Sequence, residues 1–130
     1  MFTLHQIKDT HAKVKSGADF PAYIRDIKAL GVRSYEHYVA DGHVEYFGSN
    51  HFTISAVPKW EYRDIAQISS ASQLRHYISI HQQGQTDYPT FCMQAADAGV
   101  EKWVIDIPRM TCTYYDKAGE AMVVEPIPEV

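Results

Sequence analysis

Residues 6–58 and 73–126 read as one unit written twice, and no other feature restricts the fold as much. Gln73-Leu74-Arg75 echoes Gln6-Ile7-Lys8, and Gly84 follows Arg75 at the distance at which Gly17 follows Lys8. One inserted residue comes next. Asp19, Pro21, Gly31, Val32, Tyr46 and Pro58 then recur at constant spacing as Asp87, Pro89, Gly99, Val100, Tyr114 and Pro126. Ring also answers ring: Phe20 with Tyr88, Tyr23 with Phe91, Tyr35 with Trp103, and Phe47 with Tyr115. About three identities would arise by chance over such an overlap, so the weight lies on which residues match. They are punctuation and large apolar groups. The alternative is two unrelated αβ stretches with similar punctuation. The spacing of 68 residues from Asp19 to Asp87 is too long for a solenoid unit. A tandem duplication predicts two similar halves sharing one core, with a surface found only where they meet.

Each half carries the pattern ααβββ. The first helix is predicted from about Thr3 to Lys15, with Leu4, Ile7, His11 and Val14 on one face. Asp19 is placed to cap a second helix bearing Pro21 in its first turn and ending at Gly31. Strands follow over Arg33–Ala40, His43–Phe47 and Phe52–Val57, the first two joined by the hairpin signal Asp41-Gly42. In the second half Ser70 and Gln73 suit a capping box, and Asp87 suits an N-cap. Strands are predicted near Lys102–Ile107, Thr111–Tyr115 and Glu120–Val124. The connector, residues 59–69, has no counterpart, and Trp60, Tyr62, Ile65 and Ile68 make it apolar enough to pack. The expected fold is therefore α+β, a single domain over 1–130 built from pseudo-repeats at about 3–58 and 70–126. Its mostly antiparallel strands form one sheet or two abutting ones, with helices on one side.

A two-residue turn at Asp41-Gly42 sets Val39 opposite Val44 and His37 opposite Tyr46, on one side with Tyr35. Trp103, Ile105, Ile107, Cys112 and Tyr114 share that side, which the helices should cover. Cys92 aligns with Ile24 and Cys112 with Val44, so both read as core cysteines, a nucleophile being the alternative. His11 and His81 align with Ile78 and Val14, and His37 with Ile105. Core histidines are the plain reading. The sharper one pairs His11 and His81 near a pseudo-twofold axis, contacting a ligand or titrating near neutrality.

The other side of the sheet is the candidate site. Glu36, Tyr38, His43 and Glu45 come from the first hairpin, and Asp106, Thr111 and Thr113 from the second. Carboxylates beside an imidazole suit binding of a hard or borderline metal, or general acid–base work where burial tunes their pKa values. A solvated surface and a face buried by a second copy are the alternatives. Enzyme chemistry would draw on His43 or His37 with Glu36, Glu45 or Asp106, or on Cys92. No phosphate loop, Gly-x-Ser-x-Gly elbow or His-Glu-x-x-His occurs, and no cofactor or metal is expected.

Composition restricts the partners. The net charge of -4 comes without a run of Lys or Arg, so neither nucleic acid nor a membrane surface is expected. No apolar run is long enough to span a bilayer. Met1-Phe2-Thr3-Leu4-His5 lacks the basic and apolar regions of a signal peptide, which predicts a cytoplasmic protein. The expected partners are a small-molecule ligand or a protein, a homodimer included. The function expected from these residues is a binding or regulatory module using the groove between halves or the polar sheet side.

Four segments also carry a likeness: Tyr35-Glu36-His37-Tyr38-Val39, Thr86-Asp87-Tyr88-Pro89-Thr90-Phe91-Cys92, Ala98-Gly99-Val100-Glu101-Lys102-Trp103 and Met110-Thr111-Cys112-Thr113-Tyr114-Tyr115-Asp116. They resemble the YbcV-like group of small uncharacterised bacterial proteins, sometimes called phage envelope proteins. The resemblance spans nearly the whole chain and implies a bacterial or prophage origin. It brings no activity, cofactor or catalytic residue.

Overall fold

The computed structural model describes residues 2–15 and 17–129. Thr3 opens the first helix, α1 (Leu4–His11), through a reciprocal cap: its hydroxyl accepts from Gln6 N–H while the Gln6 side chain accepts from Thr3 N–H. The helix is shorter than predicted. It stops at His11, and the chain reaches a single 3₁₀ turn (Gly17–Asp19) before α2 (Phe20–Leu30). Asp19 does not cap α2 through its side chain, because its carboxylate accepts from Lys15 N–H at 2.8 Å. In the second half Asp87 does cap α4 (Tyr88–Asp97), accepting from Thr90 N–H at 2.9 Å. Ser70 caps α3 (Ala71–Gln82) by accepting from Gln73 N–H.

The strands are β1 (Ser34–Tyr38), β2 (Val44–Phe47), β3 (Thr53–Ala56), β4 (Val100–Asp106), β5 (Thr111–Asp116) and β6 (Ala121–Pro126). They form one antiparallel sheet in the order β3-β2-β1-β4-β5-β6. The choice between one sheet and two is thereby resolved. The first hairpin corrects the expected register. Tyr35 lies opposite Tyr46 and His37 opposite Val44, so the loop spans four residues, Val39–Gly42, instead of two. The physical reason is that Tyr38 closes the ladder, exchanging bonds with His43 and Gly42, while Asp41 turns back to accept from His43 N–H. The slip is two residues. Since side chains alternate with period two, every residue keeps its predicted side.

One side of the sheet is buried under the helices: Tyr35, His37, Val44, Tyr46, Trp103, Ile105, Cys112 and Tyr114 all lie in the core with Ile24, Ile27, Leu74 and Phe91. Burying an aliphatic side chain such as Ile24 or Ile27 contributes about 1.5–3 kcal/mol. Both cysteines belong to this core and are free thiols. The connector is only partly as expected. Ile65 is buried and Trp60 donates its indole N–H to the Val39 carbonyl at 3.2 Å, whereas Tyr62 and Ile68 are exposed. Its backbone is tied at both ends, from Arg63 N–H to Ala40 O at 2.7 Å and from Ala66 N–H to Ala96 O at 3.0 Å. It thus joins the first hairpin to α4. Among the described residues, no helix is long and apolar enough to cross a membrane.

Candidate functional site

Two places gather chemistry. The first is a cavity of about 590 Å³ between the helices and the buried side of the sheet. Its walls include Ile7 from α1, Tyr23 from α2, Ile78 from α3, Tyr88 and Phe91 from α4, and Trp103 from β4. Both halves therefore contribute. Tyr35, Tyr46 and Tyr114 add three more rings from the sheet. The phenols stay protonated: burial raises Tyr23, Tyr35, Tyr88 and Tyr114 above the usual range, with neighbouring hydroxyls and thiols adding to it.

His37 is built into this wall. Its ring stacks on Trp103 at 4.1 Å between centroids, and its Nε2 is hydrogen-bonded with the Tyr88 hydroxyl. Nδ1 is buried and has no hydrogen-bond partner. Burial, then the positive charge of Lys59, pushes its pKa down to about 3, so the imidazole is neutral near pH 7. As predicted, His37 is a core residue.

His11 and His81 also border the cavity. His81 is half-buried, stacked on Phe91, and donates from Nδ1 to the Thr86 carbonyl at 3.0 Å. His11 departs from the core reading and is exposed, because α1 ends at that residue. Its inner edge nonetheless meets Tyr23 and Tyr88. Shielding there, followed by the charge of Lys59, lowers its pKa.

The second place is the polar sheet side. Glu36, Tyr38, His43 and Glu45 form one patch: Glu36 accepts from Lys102 and from the Tyr38 hydroxyl, each at 2.9 Å. The His43 ring lies flat on Tyr38 at 4.3 Å, donates from Nδ1 to Asp41 at 2.6 Å, and sets Nε2 4.0 Å from Glu45. Asp106 and Thr111 pair across β4 and β5 further along, with Asp106 near Arg109, and Thr113 stands opposite Val104. The structure thus brings the four hairpin residues together and sets Asp106 with Thr111 apart from them. Among the described residues, no group of three or more His, Cys, Asp or Glu is arranged to hold a metal ion.

The thiol version of catalysis finds no support. Burial pushes Cys92 up to about 12, against the opposing pull of Tyr88, Arg63 and Lys59, and burial does the same to Cys112. We expect alkylation of both thiols in the native protein to be slower than in denaturant by about three orders of magnitude. Timed labelling with iodoacetamide and mass spectrometry checks this, and rapid native labelling of Cys92 would restore the nucleophile.

A family model described as a protein of unknown function, DUF1398, matches residues 8–126. The chain belongs to the DUF1398 family. The match covers the last four residues of α1, the other three helices and all six strands, and it supplies no activity. No curated protein matches the chain.

Sequence reasoning missed Lys8 and Lys59, which border the DUF1398 cavity, and passed over Tyr88 and Phe91 as helix-stripe residues. A signal was present in the tyrosines. The chain has nine Tyr against five Phe, and hydroxyls placed in core stripes need polar space beside them.

Proposed function

We propose that this domain is a binding module that takes a small, largely apolar molecule into the cavity between its helices and sheet. The observation that carries this reading is the cavity, whose 590 Å³ falls in the size range of ligand pockets. Interiors otherwise close to crystal-like density, and a void forfeits contacts along its walls. A ring-lined void of this size is costly unless something fills it.

The same reading includes an internal duplication of an ααβββ unit within one domain. What supports it is the central pairing of the sheet. Advancing by 68 residues takes Tyr35 to Trp103 and His37 to Ile105. The ladder between β1 and β4 is centred on Glu36 opposite Val104, residues 68 apart in the chain, so an exchange of halves maps the central pair onto itself. Duplication accounts for a cavity at the junction, where neither unit alone would close. We further propose the polar sheet side, with the patch of Glu36, Tyr38, His43 and Glu45 and, further along, Asp106, Thr111 and Thr113, as a protein-facing surface, with a homodimer as the expected assembly. The half-buried rings Tyr38, Phe47 and Tyr115 support that assignment. Bacterial or prophage origin in the YbcV-like group and a cytoplasmic location belong to the same proposal.

Native mass spectrometry of protein purified from its source cells tests the cavity. A retained small molecule is expected, lost in the Ala56→Phe variant, which puts a ring where Ala56 lines the void. Ligand-free protein throughout, together with no stabilisation in a thermal-shift screen, would reject the module.

A further inference from the structure

The lining of the cavity has a sign. Five basic residues belong to it, Lys8, His11 and Lys15 from the first helix region, Lys59 from the connector and His81 from α3, against two acids, Asp87 and Glu125. This contrasts with a chain that is acidic as a whole, with 12 Lys and Arg against 16 Asp and Glu. The acids are also occupied. Asp87 caps α4, and Glu125 accepts from Gln82 at 3.3 Å. Among the described residues, none of the three lysines forms an ion pair with a carboxylate.

Lys59 is the centre of this group. Its Nζ donates to the Gly42 carbonyl at 2.8 Å, which holds the ammonium in place with two donors left over. Burial lowers its pKa and Lys8 adds repulsion, against the opposing pull of Cys92 and Asp41, while its own charge depresses His11 and His37. Like charges gathered in the lining of an apolar cavity repel one another, and an anion between them would relieve that repulsion. The same lining is rich in rings, with Tyr23, Tyr88, Phe91 and Trp103 among them.

We infer that the ligand is an amphipathic monoanion, its apolar or aromatic body among the rings and its charged end, a carboxylate or similar group, against Lys59 and His11. This rests on the cavity reading above and adds the chemical class. Lys59 acts as the counter-ion, and His11 supplies a ring N–H or, once the anion arrives, a second positive charge.

The test is calorimetric titration of the purified chain near pH 7 with three matched probes: naphthoate, naphthamide and naphthylmethylamine. Naphthoate should bind at least about tenfold tighter than the neutral amide, and the amine weakest. Lys59→Met should remove the preference for the anion by weakening naphthoate far more than naphthamide, and Lys59→Arg should keep it. Should Lys59→Met fail to fold, His11→Glu provides the second variant, expected to favour the amine over the acid. Equal affinities for acid and amide, a preference surviving Lys59→Met, or no binding by any probe would each overturn the anionic assignment. The cavity reading would survive those results if native mass spectrometry still finds a retained neutral molecule. It falls separately if ligand-free protein is all that is recovered.

Discussion

Acid should unfold this domain well before its carboxylates are fully protonated, and His37 should be the cause. The residue is 3% exposed, stacked on Trp103 and met edge-on by Tyr88, with a neutral imidazole whose folded pKa is about 3 against 6.5 for the free group. The direction follows from proton counting. Between those two values the unfolded chain binds a proton that the folded chain refuses, so stability is complete above the unfolded pKa and is lost as pH falls. Moving from pH 7 to pH 4.5 should cost about 2–3 kcal/mol from this residue alone, and on the order of 4 kcal/mol near pH 3. That is a large share of the roughly 5–15 kcal/mol of a typical domain. His11 and His81 act in the same direction from more exposed positions. Asp41 and Asp87, held below the usual carboxylate range, act only at lower pH. Glu125 opposes them, because burial raises its pKa.

The double variant His37→Phe, Tyr88→Phe isolates the effect. It keeps the rings, removes the titrating group, and leaves neither partner of the His37–Tyr88 hydrogen bond behind. Deleting both partners with shape retained is close to neutral near pH 7, or stabilising by about 1 kcal/mol where an unpaired nitrogen disappears. Urea midpoints measured from pH 7 to pH 4.5 should then fall steeply for the natural protein and much less for the variant. Tyr88→Phe alone leaves both His37 nitrogens unpaired and should cost about 1–3 kcal/mol near pH 7. Parallel losses in the natural protein and the double variant would show that another group governs the acid response.

How far these features were legible depended on whether the deciding contact was local. Asp87 caps its helix as read, since an N-cap bond needs only the residue three positions on. Asp19 looks equivalent in sequence but is diverted by Lys15 N–H in a loop of different length. The register of the first hairpin slipped by two because the loop is closed by Tyr38 and His43, not by the Asp-Gly pair. Sidedness survived that slip, which is why Cys112, Val44 and His37 are in the core as expected. The cavity was illegible for a different reason. Tyr23, Tyr35, Tyr46 and Trp103 have the same periodicity whether they face packed atoms or a void. Polar residues such as Glu36 and His43 stand out in a sequence, whereas a space between rings leaves no letter of its own.

Gly99→Ala should be far more damaging than Gly31→Ala, although both residues end a helix and lead into the first strand of their half. Both have positive φ, 108° at Gly31 and 91° at Gly99, so each alanine incurs a backbone cost of about 1–2 kcal/mol. Their surroundings then separate them. A methyl at Gly31 would meet only the edge of Phe2 at 3.8 Å, an ordinary contact. A methyl at Gly99 would lie 2.7 Å from Ser69 Cα and 3.2 Å from the Ile68 carbonyl oxygen. Those are backbone atoms of the connector, and the connector cannot easily retreat. Ser70 N–H is bonded to Ala98 O at 2.8 Å, and Ala66 N–H to Ala96 O at 3.0 Å, on either side of the clash. Overpacking against fixed backbone adds about 1–3 kcal/mol. The total for Gly99→Ala is then about 2–5 kcal/mol, a fall in Tm on the order of 10 °C for a chain of this size. Equilibrium urea unfolding of the two variants side by side measures the gap. Equal losses would mean that the connector is not held against the end of α4, and the tie between the first hairpin and the second helix pair would have to be given up.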